Sequence, residues 1–115
     1  MAEISELMKK IKQFNSDRDW DQFHNPKDLA ISLVLEAAEV LEHFQWKNGE
    51  EIAARVESKK TEITEEVADV AIYLLNLCNK LDIDLANAIE SKLTKSAQKY
   101  PIDKAKGRSD KYTEL

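Results

Sequence analysis

An all-α fold is what this 115-residue chain predicts. Apolar residues recur at intervals of three and four over long stretches, the period of a helix with one packed face. Only 2 Gly and 2 Pro punctuate the sequence, too few for the many turns of a sheet of short strands. Charged residues make up 34 %, enough to solvate the outer faces of several helices. At this length a single domain over residues 1–115 is expected, with a polar, loosely held tail from 103 to 115.

The elements follow in order. Ile4, Leu7, Met8, Ile11 and Phe14 mark a short first helix whose other face carries Lys9, Lys10 and Lys12. A polar connector, Asn15 to Asn25, holds three rings, Trp20, Phe23 and His24, and ends on Asn25-Pro26, a cap followed by a first helical residue. The second helix is expected to run to Trp46, with Asn48-Gly49 as its stop. Residues 50–58 read as a short connecting helix. Thr61 or Thr64 is the expected cap of a third long helix ending near Leu81, and Asp84 that of a fourth bounded by Tyr100-Pro101. Because the third helix is apolar nearly all round between Val67 and Leu77, its coverage calls for more than one small chain supplies, and a homo-oligomer is expected.

Composition excludes several functions. The net charge of −5 and the lack of a basic stripe argue against binding a nucleic acid polymer. Cys78 is the single cysteine, so no disulfide framework exists within the chain, and it reads as a small core residue. No segment approaches the ~20 apolar residues of a membrane span, and MAEISELMKK lacks the order of a secretory signal, so a cytoplasmic location is expected.

The chemistry resides in four acids. Glu36 and Glu39 fall inside the apolar run from Ile31 to Leu41, and Glu66 and Asp69 head the run from Val67 to Cys78. Ionised carboxylates are rarely buried unless paired or bound to metal, because desolvation costs several kcal/mol each. Residues three apart share a helix face, so each pair points one way. Counted from helix ends at Trp46 and Thr61, the pairs lie roughly 10 Å and 8 Å from the same end of an antiparallel helix pair. Four converging carboxylates suit a hard divalent cation, Mg2+ with Mn2+ as a substitute, which keeps waters and takes up substrate phosphates. Such a centre supports hydrolysis of a phosphoanhydride without a Ser, Cys or His nucleophile. The plainer alternative is a helical interaction module, of antitoxin or adaptor type, whose acids form interhelical ion pairs. A redox-metal bundle is a further alternative, but His24 and His43 do not supply its Glu-x-x-His motifs.

Glu36-Ala-Ala-Glu39 and, after 26 intervening residues, Glu66-Val-Ala-Asp69 resemble the ExxE…ExxD signature of the MazG-like all-α nucleoside triphosphate pyrophosphohydrolases. The words RDWDQFHNP, FQWK, EEVADVAIYL, SKL, KYP and KYTEL extend the likeness across most of the chain, toward the dCTP pyrophosphatase branch. The resemblance implies a four-helix-bundle type of fold assembled as a dimer or, preferentially, a tetramer made as a dimer of dimers. It also implies Mg2+ held by Glu36, Glu39, Glu66 and Asp69, and a dCTP-like dNTP cut between its α and β phosphates to the monophosphate and pyrophosphate, a cleansing of the nucleotide pool. Glu36 or Glu39 would take the proton of the attacking water.

Carried over by position, Trp20 and Trp46 resemble the rings that enclose the base, Tyr73 the ring under the deoxyribose, and Lys92 a phosphate contact. Lys99 with Tyr100 resembles part of the same wall, and His24 falls in the QFH word as either a substrate contact or a loop support. Relatives have histidine at the position of Ile11 and asparagine at that of Ser96, which implies relaxed discrimination of cytosine in this chain.

Overall fold

The computed structural model describes residues 3–115, and among these every regular element is helical. The helices are α1 (Ile4–Asp17), α2 (Pro26–Glu42), α3 (Glu50–Ser58), α4 (Lys60–Lys80), α5 (Leu85–Lys99) and α6 (Ile102–Ala105), with single 3-10 turns at Asp21–Phe23 and Tyr112–Glu114. The all-α expectation is met. None of these helices is long and apolar enough to cross a membrane.

Local chemistry sets most of the ends. Asn25 caps α2 as expected: its side chain accepts from the Asp28 amide at 2.9 Å and donates to the Asp28 carboxylate at 2.6 Å, and Pro26 occupies the first turn. Asp84 caps α5 by accepting from the Asn87 amide at 3.2 Å. The connecting helix falls on residues 50–58.

Two boundaries differ from the sequence reading. α2 ends at Glu42, not Trp46, because the chain unwinds through a run of turns over residues 43–46, with Phe44 and Gln45 both donating to the Leu41 carbonyl. Trp46 then takes a left-handed backbone, φ 67°, and Gly49, at φ 54°, precedes α3 rather than stopping α2. Neither Thr61 nor Thr64 caps α4. Lys59 alone separates α3 from α4, and the Thr64 hydroxyl donates back to the Lys60 carbonyl at 2.7 Å from inside the helix.

The chain forms two compact units, Met1–Ile83 and Asp84–Leu115. In the first, α4 is the central element, packing most extensively on α2 and also on α1 and α3. Its buried side chains are few: Leu29, only 1 % exposed, with Leu75 and Cys78, whose thiol is pushed above its ordinary pKa by burial. A pair of buried asparagines ties α1 to α4, Asn15 Nδ2 donating to Asn76 Oδ1 at 2.5 Å. In the second unit, Tyr112 stands edge-on to Tyr100, ring centres 6.1 Å apart, and the Lys99 ammonium lies 4.8 Å from the centre of the Tyr112 ring.

The apolar runs are only partly covered. On α2, Val34, Leu35 and Leu41 are between 61 and 67 % exposed, and Ile31 beside them is half exposed. On α4, Val67 and Ile72 are exposed as well, so the run from Val67 to Leu77 is buried on one side only.

Candidate active site

The packed stripe of α2 runs Leu29, Leu33, Glu36, Val40, His43, at alternating steps of four and three. Glu36 therefore occupies a position where the helix would ordinarily place a Leu. On α4 the corresponding stripe is Ile63, Glu66, Val70, Tyr73 and Leu77, with Glu66 the intruder. Each pair thus has one acid on the packed stripe, Glu36 or Glu66, and one on an exposed flank, Glu39 or Asp69.

The two stripe acids share an electrostatic problem. Glu36 Oε2 and Glu66 Oε2 are both buried without a formed hydrogen bond. The Glu36 carboxyl is held above its ordinary pKa, first by loss of water, then by the nearness of the Glu39 carboxyl and by the negative charges of Glu39, Asp69 and Glu66. Those influences put Glu36 within the field of the other three acids. Among the described residues, no lysine or arginine forms an ion pair with any of the four. The interaction-module alternative needs such pairs.

The one basic side chain set against the cluster among the described residues is His43, whose Nε2 lies close against Glu66 Oε2. The other ring nitrogen, Nδ1, is 3.1 Å from Nη2 of Arg55 on α3. Arg55 escaped the sequence reading, which set His43 aside for lacking a Glu-x-x-His motif. The signal for His43 was present, since it stands seven residues after Glu36, on the same apolar stripe.

The acids do fit a magnesium ion: a buried Glu36 oxygen without a partner, four hard donors and no lysine or arginine paired with them are the chemistry it requires. Among the described residues no three His, Cys, Asp or Glu side chains are already gathered into a finished cage. Magnesium rarely uses one, being held by one or two carboxylates, waters and substrate phosphates.

Beside the acids, a cavity of about 600 Å³ lies along α1 and α4, within the size range of small-molecule sites. Ile11, Trp20, His24, Asp69, Tyr73 and the Asn15–Asn76 pair are on its wall. Asp69 therefore belongs to both the acid cluster and the cavity. Trp20 is fixed edge-on against Phe14, ring centres 5.6 Å apart, and the Arg18 guanidinium lies 3.7 Å from the centre of the Phe14 ring. His24 Nδ1 is buried there with no partner.

The structure brings Trp20, Tyr73 and His24 to one cavity, but Trp46 is not on its wall and stands 86 % exposed. Lys92 and Lys99 belong to the second unit. The Asn15–Asn76 pair was not anticipated; two amides at otherwise apolar helical positions are the trace it leaves in the sequence.

Residues 31–115 match the MazG-like family. The chain belongs to that family. Among curated relatives it is 37 % identical over 114 residues to the dCTP pyrophosphatase 1 of Homo sapiens and 35 % identical over 114 residues to that of Rattus norvegicus. Each of these alignments takes in 97 % of this chain and 67 % of the relative. The fold is also that of a crystallised pyrophosphatase from Archaeoglobus fulgidus DSM 4304, with a TM-score of 0.82 and 40 % identity over 88 % of this chain and 94 % of that one. The enzyme class expected from the sequence, nucleoside triphosphate pyrophosphohydrolase, is thus borne out for this MazG-like chain.

Proposed function

We propose that this MazG-like protein is a Mg2+-dependent pyrophosphohydrolase of deoxynucleoside triphosphates, with a dCTP-like substrate preferred, acting in the cytoplasm to cleanse the nucleotide pool. One observation carries the reading. Four carboxylates without a lysine or arginine partner adjoin, through Asp69, an aromatic cavity of nucleoside size.

Magnesium bound to Glu36, Glu39, Glu66 and Asp69 would polarise the phosphoanhydride and activate water near neutral pH. The protein supplies the rest. Trp20 and Tyr73 offer flat faces to base and sugar, and stacking on such a ring is worth ~1 to 3 kcal/mol per base. Asp69, at the junction, sets the distance between the gripped nucleoside and the phosphates. Glu39, on the exposed flank, or Glu36, on the packed stripe, accepts the proton from the attacking water as the bond between the α and β phosphates breaks. Ile11 offers the base no hydrogen bond, which favours relaxed selection among bases. Lys92 and Lys99 are assigned to the polyphosphate by position alone.

The exposed apolar ridge of α2 and the exposed Val67 of α4 support self-association as a dimer or tetramer. Sedimentation showing a stable monomer at micromolar concentration would remove that part of the proposal.

The deciding experiment is a panel of canonical and modified dNTPs, read by pyrophosphate release with and without Mg2+. Release that requires Mg2+ and is fastest with cytosine nucleotides is expected. No release from any dNTP would overturn the reading.

A further inference from the structure

Beyond the acids, one polar chain joins three segments of the first unit. It begins at Arg55 on α3, passes through His43 in the turn after α2, and ends on Glu66 of α4. His43 is only 8 % exposed, so its ring is held by these neighbours rather than by water.

The chain has a direction. A guanidinium nitrogen only donates hydrogen bonds, so Nδ1 of His43, 3.1 Å from Arg55 Nη2, has to accept. The ring hydrogen then belongs on Nε2, facing the Glu66 carboxylate. In the opposite tautomer a lone pair would meet a carboxylate oxygen on one side and an N–H would meet a guanidinium on the other. Both contacts would be repulsive.

We infer that Arg55 and His43 are positioning residues for Glu66: Arg55 fixes the tautomer of His43, and His43 pins Oε2 of Glu66 so that Oε1 is the oxygen left free to ligate. The arrangement is that of an outer-shell partner orienting a metal ligand, with the order of the groups set by the one member that has no acceptor. It also gives α3, otherwise a short connector, a task in the site. The inference rests on Glu66 being a ligand, as in the proposed function.

The test uses the full chain and has one readout that needs no metal. With only two histidines, His24 and His43, the imidazole 15N resonances of the metal-free protein are readily assigned. The wild type and Arg55→Lys should show the Nε2–H tautomer at His43, and Arg55→Met, which takes the donor from Nδ1, should shift the His43 Nδ1 resonance away from its wild-type position. Titration with Mn2+ should then give wild-type affinity for Arg55→Lys and a loss of about 10- to 100-fold for Arg55→Met and His43→Leu.

A plain structural tie between α3 and α4 would lower the melting temperature of Arg55→Met without moving either readout. That result, like an Nδ1–H tautomer in the wild type, would overturn the inference. Wild-type protein that shows the expected tautomer but binds no Mn2+ would overturn the metal reading, and with it the role of Glu66 as a ligand. Normal binding by wild type and by folded Arg55→Met alike would remove the positioning role alone. If His43→Leu does not fold, the pair of Arg55 variants decides the matter.

Discussion

The two halves of α4 are built for opposite purposes. Over its first half, Lys60 to Ala71, no residue is fully buried, and the one stripe that packs is interrupted by Glu66. Over its second half, Ile72 to Lys80, the same helix contributes Leu75, Asn76 and Cys78 to the interior. The helix is continuous and its backbone bonds are alike throughout, so the contrast arises wholly from side chains. It teaches that this small domain draws its cohesion from one end of the helix and leaves the other end under-packed and electrostatically unsatisfied, the condition a ligand corrects.

If that division holds, changes at the two ends should have separable effects. The largest is expected at the acidic end. Asp69→Asn on α4, or Glu39→Gln on α2, should reduce pyrophosphate release by about 10³-fold or more, on the order of 4 kcal/mol of transition-state stabilisation. Circular dichroism and the urea midpoint should barely change. Full activity in both variants would contradict the site assignment.

Next comes the buried end. Leu75→Ala should cost ~2 to 5 kcal/mol of stability, read from urea unfolding, while Mg2+ affinity of the folded fraction stays at the wild-type value. Loss of both together would show that the halves are coupled.

A smaller effect sharpens the contrast. Because the folded state raises the Glu36 pKa, it binds a proton more tightly there than the unfolded chain does. Metal-free protein should therefore lose stability as pH climbs from the ordinary glutamate range through the raised value. Glu36→Gln removes that loss. Near neutral pH and without metal it should melt higher than the wild type, and Mg2+ should no longer raise its melting temperature. A lower melting temperature at every pH would refute the electrostatic account.

Much of this was legible from the residues. Stripes at three and four gave the long helices, and Asn25 and Asp84 declared their caps because an Asx side chain three residues before a free amide has few other uses. Glu36, inside an apolar run, announced the acid that feels the charges of the other three. The end of α2 was not legible: His43 and Phe44 continue the apolar pattern past the last helical residue, and no Gly or Pro warns of the turn. The start of α4 was hidden likewise, since a single residue, Lys59, suffices to separate it from α3. The Arg55, His43 and Glu66 chain depends on three segments meeting, which no local pattern encodes.

Trp46 carries a last consequence. An L-residue with so large a side chain rarely adopts φ 67°, and glycine would sit there with less strain, by roughly 1 to 2 kcal/mol. Folding alone therefore disfavours the residue that is present. Trp46→Gly should unfold at higher urea, so that the durability of the first unit is limited by the backbone of a single peptide unit.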